Sequence, residues 1–452
     1  MKNTSFKYFT DLTTNTGKFL AHYTWWELTI FVIGVLSFIS IIVVLFLPLG
    51  NGPSKFTYAG EVPSTNSSTF LNSISTNLTL PVRSGQPIEI LPTGEIFLSR
   101  LLADIDSAKT SINIMVYIFQ NGKMSDQVFD HLDKKAKEGV EVRIMYDDFG
   151  SKPHIPRKRI NELKKLGGKV HAFHSLTIAP WEFLRNHKRN HRRAFIIDGE
   201  IGYTGGMAIS DDWLATVKPD SAYHDVMFRT TGNMVRDIQG TFSELWTGMT
   251  AEILVGDKFF KDLSVDKAGS LSYVALTSTP SSDSLTLQKF YLLSILSAEH
   301  SIYLTTPYFL PDKSLSEALI KKVKEGVNVR ILVPNILNDS TSLYYASHYS
   351  YQPLLEAGVK IYEYQPHFNH SKSLVVDNLW SVVGSANMDY RSRKINEESI
   401  FGVYDKTFAT GLQNIFTEDL KNAKEIDLAE WKKRPIWHRM REIFDQKFVQ
   451  QY

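Results

Sequence analysis

The sequence predicts an α/β fold in which a single transmembrane helix precedes two homologous lobes, each with a mainly parallel sheet, around one shared cleft. Three observations predict it. A long stretch without charge lies near the N-terminus. From residue 88 onward, apolar runs typical of strands alternate with charged runs typical of helices. The order helix, strand, helix, strand, helix, strand and then a histidine motif occurs twice.

Composition limits the classes of function. A chain of 452 residues can form two or three domains. The formal net charge of +2 gives no global basic field, so we expect no nucleic-acid partner. The sequence has no cysteine, which excludes disulfides, thiolate zinc sites and cysteine nucleophiles. Clustered metal-binding motifs such as H-E-x-x-H are also absent from the sequence, and we expect neither a metal nor a cofactor.

Residues 28–49 contain no charged side chain, and about 20 apolar residues suffice to cross a bilayer as a helix. Trp25 and Trp26 lie where an interfacial belt would be. Three lysines occur in the preceding segment, 1–27, against one lysine and one glutamate just after the apolar run. We therefore expect a single-pass anchor with a cytoplasmic N-terminus. A signal peptide and a buried core helix are the alternatives.

The remaining boundaries follow from composition. Residues 50–86 are rich in Ser, Thr, Asn, Gly and Pro and indicate a flexible linker, with a small subdomain over 70–80 as the alternative. We expect the first lobe over 87–255 and the second over 256–405. A C-terminal helical segment, 406–452, follows.

The internal repeat is extensive. KKAKEGVEVRIMYD from Lys134 matches KKVKEGVNVRILVP from Lys321, each being the end of a charged helix, a glycine cap and a strand. The segments AKTSINIMVYIF and AEHSIYLTTPYF precede them, and KLGGKVHAF and EAGVKIYEY follow them. Since active sites of open α/β sheets lie beyond the carboxyl ends of the strands, two such lobes can share one cleft.

The second lobe carries the more complete histidine motif. His370 and Lys372 are two residues apart beside an apolar run, so on a strand both side chains project to the same face. Gly384, Ser385 and Asn387 follow in a tight turn that offers a hydroxyl, an amide and backbone N–H groups. This set suits attack on a phosphodiester. A core histidine beside a lysine is the alternative for H-x-K alone.

The first lobe carries a second copy, in which His191 corresponds to His370. Arg193 stands where the second copy has Lys372. It keeps the positive charge, but on a bulkier guanidinium group. Ala208 stands where the second copy has Asn387 and lacks a donor. Loss of one transition-state contact of that kind costs roughly 10²–10³ in rate.

Asp198 and Asp377 each lie seven residues after their histidine. An odd spacing on a strand turns a side chain to the opposite face. We expect both to be structural.

The pattern H-x-K-x-x-x-x-D followed by G-S-x-N resembles the signature of the phospholipase D superfamily, and the ending GSANMDYRS is similar to that of bacterial cardiolipin synthases. The resemblance extends from Gln86 to Asp405. It implies a protein of the bacterial cell membrane that works on a phosphodiester without metal. In that family one histidine attacks phosphorus. The other protonates the leaving alcohol and then deprotonates the incoming one.

The resemblance suggests His191 as the nucleophile and His370 as the acid and base, with the reverse assignment tenable. By motif position, Asp225 would orient one histidine and Glu398 the other. The alternative for Asp225 is a solvated acid in a loop, and the alternative for Glu398 is an ion-pair partner of a nearby arginine. The chemistry needs one neutral and one protonated imidazole, which suits an ordinary pKa of about 6.5.

We expect Ser385, Arg189 and Tyr308 to contact the substrate. Arg189 belongs to a basic cluster that could bind lipid head groups or nucleic-acid phosphates, with a solvated loop as the alternative. The cluster comprises Arg185, His187, Lys188, Arg189, Arg192 and Arg193.

The function implied is a membrane-anchored phosphatidyltransferase that makes cardiolipin from two phosphatidylglycerols, releases glycerol and passes through a phosphohistidine. A hydrolytic phospholipase D and a catalytically weakened lipid-binding protein are alternatives, and a nuclease is a further one. The sequence leaves open the acceptor, the membrane side of the catalytic domain and the oligomeric state.

One further pattern lies near the C-terminus. Trp437, Met440, Phe444 and Phe448 recur on one face of a helix. Either this stripe packs on the protein's own domain, or it forms an interfacial membrane helix.

Overall fold

The computed structural model describes five stretches of the chain. These are residues 25–46, 56–174, 187–261, 270–279 and 285–448. The chain divides into an N-terminal unit that ends at Asn51 and a main unit that begins at Gly52.

The described part of the N-terminal unit is helix α1 (Trp25–Phe46), 22 residues long. Its first two side chains, Trp25 and Trp26, are exposed. Among the described residues, no helix is both long enough and apolar enough to cross a lipid bilayer. The predicted transmembrane helix 28–49 is therefore not supported there, and its last three positions lie outside the described residues.

The segment predicted to be a flexible linker is folded over much of its length. Helix α2 (Phe70–Leu78) buries Phe70, Ile74 and Leu78 in the core of the second lobe. Strand β1 (Arg83–Gly85) then forms the edge of the second lobe's sheet. The composition was misleading because this short helix is stabilised by apolar contacts with residues more than 200 positions away, such as Leu287.

The first lobe is a seven-stranded sheet with the order β2-β8-β7-β6-β3-β4-β5. Its strands are β2 (Glu89–Leu91), β3 (Ser111–Val116), β4 (Glu141–Asp147), β5 (Lys169–Phe173), β6 (Ala194–Ile197), β7 (Ile201–Gly205) and β8 (Met227–Thr231). Its helices are α3 (Gly94–Ser107), α4 (Lys123–Lys137), α5 (Asp148–Ser151), α6 (Arg157–Lys165) and α7 (Asn233–Thr250).

The second lobe is a nine-stranded sheet with the order β1-β9-β15-β14-β13-β10-β11-β12-β16. Its further strands are β9 (Leu271–Ser278), β10 (Ser301–Thr305), β11 (Asn328–Pro334), β12 (Lys360–Tyr364), β13 (Ser373–Val376), β14 (Trp380–Gly384), β15 (Glu398–Tyr404) and β16 (Ala423–Glu425). Its helices are α8 (Thr286–Leu296), α9 (Lys313–Lys324), α10 (Thr341–His348), α11 (Tyr351–Ala357), α12 (Tyr390–Lys394), α13 (Lys406–Leu420), α14 (Leu428–Lys432) and α15 (Ile436–Lys447).

The two lobes repeat one topology, as the sequence predicts. Strands β3, β4 and β5 pair in parallel, as do β10, β11 and β12, and β6 and β13 add the antiparallel neighbour in each lobe. The predicted glycine caps are Gly139 and Gly326, with φ of 89° and 92°. The left-handed region that they adopt is open to glycine without steric cost.

The prediction of mainly parallel sheets is wrong. Only two of the six pairings described in the first sheet are parallel, and only two of the eight in the second. The physical reason lies in the connections. The links from β6 to β7 and from β13 to β14 are three residues long, which is far too short for a parallel crossover.

The predicted end of the second lobe is also displaced. Beyond Asp405, helix α13 buries Phe408, Leu412 and Phe416, and β16 pairs with β12 at the edge of the sheet. The second lobe therefore extends to Glu425 rather than to residue 405.

The two sheets meet through one buried apolar cluster. Met115 and Ile196 of the first sheet share it with Val375 and Phe401 of the second. This packing joins the lobes and fixes the cleft between them.

Asp198 and Asp377 have the structural role that their spacing predicts. Asp198 has a φ of 54° and accepts hydrogen bonds from the backbone N–H groups of residues 109–111 at 2.7–2.9 Å. Asp377 has a φ of 53° and accepts them from residues 299–301 at 2.7–2.9 Å. Burial by itself would raise the pKa of Asp198, but these donors hold it below its ordinary value. Each aspartate thus fixes the turn that enters β3 or β10.

Replacing Asp198 by alanine should lower the free energy of unfolding by about 2–4 kcal/mol, because three backbone donors lose their acceptor together. Asp377→Ala should have a similar effect. Urea unfolding measures it, with exposed Asp220→Ala as the control, for which a change within about 0.5 kcal/mol is expected. Equal stability of all three variants would contradict the structural role.

Candidate active site

Two matching pairs of backbone hydrogen bonds join the lobes beside the histidines. The N–H of His191 donates to the carbonyl of Glu397 at 2.9 Å, and Glu397 N–H donates to the carbonyl of Arg189 at 2.8 Å. The N–H of His370 donates to the carbonyl of His224 at 2.7 Å, and His224 N–H donates to the carbonyl two residues before His370 at 2.9 Å. The two histidine segments are thus held in equivalent ways, related by a pseudo-twofold.

Each histidine is oriented by a carboxylate from the opposite lobe. The Nδ1 atom of His191 lies 3.0 Å and 3.1 Å from the two carboxylate oxygens of Glu398. The Nδ1 atom of His370 lies 2.6 Å from Oδ2 of Asp225. The structure therefore brings together the four residues that the motifs predict, and it adds which carboxylate serves which ring. With Nδ1 engaged, Nε2 is the nitrogen left for phosphorus or for a leaving oxygen.

The two predicted cations lie beside these rings. The Nζ atom of Lys372 is 3.0 Å from both ring nitrogens of His370. Arg193 is buried and donates from Nη1 to the carbonyl oxygen of His191, while its Nε and Nη2 have no hydrogen-bond partner among the described residues. Buried donors without an acceptor are costly, and a bound phosphate would satisfy them.

The electrostatics of the free site differ from the prediction of one neutral and one protonated ring. Burial lowers the pKa of His191 to about 4, with a further contribution from Arg193, although Glu398 opposes the shift. Burial likewise lowers the pKa of His370 to about 3, with Lys372 adding to it and Asp225 opposing it. Both rings are therefore neutral at pH 7 without a substrate. A phosphodiester anion between the two cations would offset their charge and raise both values.

Comparison with known proteins agrees with this geometry. The family model described as cardiolipin synthase, PLD-like domain, matches residues 101–246 and 291–420. A cardiolipin synthase of Staphylococcus aureus is 34% identical over 361 residues, which are 79% of this chain and 72% of that protein. The major cardiolipin synthase of Bacillus subtilis is 34% identical over 357 residues, 78% of this chain and 73% of that protein. The chain belongs to the cardiolipin synthase family of phospholipase D-like proteins.

Solved structures show the same fold at low identity. The match to phosphatidylserine synthase of Haemophilus influenzae spans 84% of this chain and 99% of that protein, with a TM-score of 0.66 and 14% sequence identity. The match to polyphosphate kinase of Porphyromonas gingivalis spans 83% of this chain and 52% of that protein, with a TM-score of 0.51 and 13% sequence identity. These likenesses concern the fold alone.

In this member of the cardiolipin synthase family, hydrogen bonds that the motifs do not predict hold the two carboxylates in place. Glu398 accepts hydrogen bonds from the hydroxyls of Ser385 and Ser392. Asp225 accepts them from the indole Nε1 of Trp213 at 3.2 Å and from the N–H of Val226 at 2.8 Å. The repeat itself holds the signal that could have found them, because Trp213 and Ser392 occupy equivalent positions in the two motif copies.

Ser385 is placed differently from the prediction of a substrate contact. Its side chain is fully buried and its hydroxyl is engaged by Glu398. In the first lobe Gly206 takes the equivalent position, and a Cβ there would lie 2.3 Å from an oxygen of Asp225. The serine thus holds one carboxylate, and the glycine leaves room for the other.

Asn387 and Ala208, which differ between the two motif copies, also differ in their surroundings in the structure. Asn387 is nearly buried, its N–H donates to Ser392 Oγ at 3.0 Å, and its side-chain Oδ1 has no partner among the described residues. Ala208 is fully buried in the apolar core of the first lobe. The site therefore has one such amide rather than two.

The other predicted substrate contacts are partly engaged within the protein. Arg189 donates from Nη1 to the buried carboxylate of Asp147 at 3.3 Å, while its Nη2 has no partner among the described residues. The hydroxyl of Tyr308 donates to Asp339 at 2.5 Å. Burial raises the pKa of Tyr308 far above its ordinary value, so the phenol stays protonated.

The basic cluster is not a uniform phosphate-binding loop. Arg192 is fully buried and forms ion pairs with Glu244 at 2.8 Å and with Glu397 of the other lobe at 2.6 Å. It therefore joins the lobes, whereas Arg193 donates to the carbonyl oxygen of His191. Arg185 lies outside the described residues.

One group of described side chains has ligand atoms close enough to hold a metal ion. It consists of His348, His438 and Glu442 on helices α10 and α15. Arg434 already binds Glu442 through Nε and Nη2 at 2.6 Å and 2.8 Å. That cation neutralises the carboxylate, so this group does not fit a metal well. The expectation of a metal-free reaction stays a prediction.

Burial lowers the pKa of Lys372 to about 7, so this ammonium begins to lose its charge near neutral pH. If the charge holds the phosphate, kcat/KM should fall above pH 7 by roughly tenfold per pH unit. Lys372→Arg should move this alkaline limb upward, because arginine stays protonated, while lowering the maximal rate through its bulk. A pH profile of kcat/KM for both proteins tests this. An alkaline limb that does not move would show that Lys372 does not set it.

Proposed function

We propose that the chain is a phosphatidyltransferase that joins two phosphatidylglycerols to form cardiolipin and releases glycerol. The observation that carries this proposal is the pair of histidines, each bonded through Nδ1 to a carboxylate of the other lobe, with Arg193 and Lys372 beside them. Family membership supports the substrate class, since relatives bear the name cardiolipin synthase.

In the first half of the proposed reaction, the phosphodiester binds between the two cations. Its negative charge raises the pKa of both imidazoles, and His370 takes up a proton. The Nε2 atom of His191 attacks phosphorus, the bond from phosphorus to the glycerol oxygen breaks, and His370 gives its proton to that oxygen. Free glycerol leaves, and phosphatidyl-histidine remains.

In the second half, neutral His370 accepts a proton from a hydroxyl of a second phosphatidylglycerol. The resulting oxygen nucleophile attacks phosphorus, and the bond from phosphorus to His191 breaks. Cardiolipin forms and the nucleophile is regenerated. Glu398 and Asp225 hold the rings throughout and stabilise their cationic forms.

The test incubates purified protein with phosphatidylglycerol alone in mixed micelles, with EDTA present, beside a His370→Ala control. We expect equal amounts of cardiolipin and glycerol from the wild type and none from the control. Phosphatidic acid in place of cardiolipin would make the protein a hydrolase. Bound phosphatidylglycerol without turnover would make it a lipid-binding protein.

We further propose that the protein works at the bacterial cell membrane as a single-pass protein with a cytoplasmic N-terminus. The uncharged residues 28–49, the flanking Trp25 and Trp26, and the two lipid substrates of the proposed reaction support this. Alkaline carbonate extraction of membranes tests it, with a chain that begins at residue 52 as the comparison. Release of the full chain by carbonate would contradict an anchor in the bilayer.

A further inference from the structure

The C-terminal helix α15 is packed the opposite way from an ordinary surface helix. Its carboxylates Glu442 and Asp445 are buried, each 3% exposed. Its large apolar residues are exposed instead, with 76% for Ile436, 66% for Met440 and 60% for Phe444. A helix in contact with water normally buries its apolar face and exposes its charged face.

Polar contacts hold the helix in this orientation. Arg434 forms a bidentate ion pair with Glu442, and Arg441 donates to Asp445 at 3.2 Å. His438 stacks on His348, with Nε2 2.9 Å from the other ring's Nδ1. Because both buried carboxylates have cationic partners, this inward polar face is compatible with burial.

The outward face forms one stripe. At about 100° per residue, the exposed apolar positions fall within an arc of about 120°, opposite the buried carboxylates. The stripe consists of Ile436, Trp437, Met440, Ile443 and Phe444. Arg439 and Arg441 are exposed on its two sides, and Lys447 lies at its end.

The stripe runs toward the loop that precedes α10. His438 contacts His348 at the end of α10, while Arg441 lies 4.3 Å from the ring centroid of Tyr345, one turn earlier, so α15 runs antiparallel to α10. The end of α15 therefore points toward the start of α10. Just before that start, Ile336 and Leu337 are 47% and 56% exposed.

A chain of contacts links this region to the reacting histidine. Asp339, between Leu337 and α10, accepts a hydrogen bond from the hydroxyl of Tyr308. The ring of Tyr308 lies 6.3 Å from that of Phe368, which lies 5.5 Å from the ring of His370. The exposed Ile336 and Leu337 thus lie within a few contacts of the reacting histidine.

We propose that the stripe of α15, together with Ile336 and Leu337, is a docking face for an anionic lipid bilayer. Apolar side chains flanked by arginines suit the interface of such a bilayer, where the chains enter the acyl boundary and the cations meet phosphate head groups. The proposal rests on the proposed function for its choice of lipid. It extends that function by naming the surface that brings the second lobe's side of the cleft to the membrane.

The absence of cysteine from the sequence allows a direct test. The full chain, as Phe444→Cys carrying an environment-sensitive fluorophore, is reconstituted in phosphatidylcholine vesicles with or without phosphatidylglycerol. Lipids with a spin label in the acyl chain serve as quenchers. Lys137→Cys, exposed on the first lobe, is the matched control. We expect strong quenching at position 444, stronger with phosphatidylglycerol, and none at 137.

Three outcomes would overturn the proposal. In the first, the fluorophore at position 444 stays in water when vesicles are added. In the second, the fluorophores at positions 444 and 137 are quenched equally. In the third, the fluorophore at position 444 is already shielded without lipid, and this position cross-links to a second copy of the chain or to the N-terminal helix. The double variant Met440→Ser/Phe444→Ser should slow turnover of phosphatidylglycerol in vesicles by roughly tenfold or more. Each lost apolar side chain should weaken binding to the bilayer by a factor that approaches about ten. Turnover of dispersed short-chain phosphatidylglycerol should stay unchanged. Quenching without any turnover would reject the proposed function and keep the docking face.

Discussion

Replacing either His191 or His370 by glutamine should lower kcat/KM for phosphatidylglycerol by roughly 10⁴ or more. Glutamine keeps much of the volume and one hydrogen bond to the carboxylate, so the loss would report the missing chemistry of the ring. The double variant should be little worse than either single one, because the two rings act in one sequence of steps and their effects are not additive. Thermal unfolding of each variant checks that the fold is intact.

A substrate with a good leaving group separates the two roles. Phosphatidyl-p-nitrophenol needs no acid for departure of p-nitrophenolate. His370→Gln should therefore give a burst of p-nitrophenolate and accumulate a phosphatidyl adduct, since the base for the second step is missing. His191→Gln should give neither burst nor adduct. Mass spectrometry of the intact protein measures the adduct, and the opposite pattern would reverse the assignment.

Much of the site could be predicted because it is encoded locally. The histidine and its cation come just before one strand, the turn comes just after the neighbouring strand of the same lobe, and the repeat supplies the second copy. Local spacing also identified Asp198 and Asp377 as structural. The pairing of Glu398 with His191 and of Asp225 with His370 could not be predicted, because it depends on how the two sheets pack.

The failures have a common physical origin in distant contacts. Arg192 looks like part of a basic loop, but its partners Glu244 and Glu397 lie 52 and 205 residues away in sequence. Helix α2 is polar in composition and is stabilised by the core of the second lobe. The stripe of α15 was recognised, yet spacing alone could not decide which face of that helix is buried.

Replacing Glu398 by glutamine, or Asp225 by asparagine, should lower kcat for phosphatidylglycerol by roughly 10²–10⁴ with little change in KM. The carboxylate fixes the tautomer that presents Nε2, and it stabilises the cationic ring in each transition state. An amide can donate to Nδ1, which favours the wrong tautomer, and it removes the charge. Ser385→Ala is the matched control. It loosens Glu398 without removing the carboxylate, and we expect a loss of roughly tenfold.

The pseudo-twofold makes the two carboxylate variants a test of each other. With phosphatidyl-p-nitrophenol, Glu398→Gln should still abolish the burst, because Glu398 holds the nucleophile His191. Asp225→Asn should keep the burst and accumulate the adduct, because Asp225 holds only His370, whose acid role this substrate bypasses. The reverse pattern would exchange the roles of the lobes. A loss below about threefold in both variants would show that the carboxylates merely pack the rings, since removal of an orienting charge in such a site costs far more.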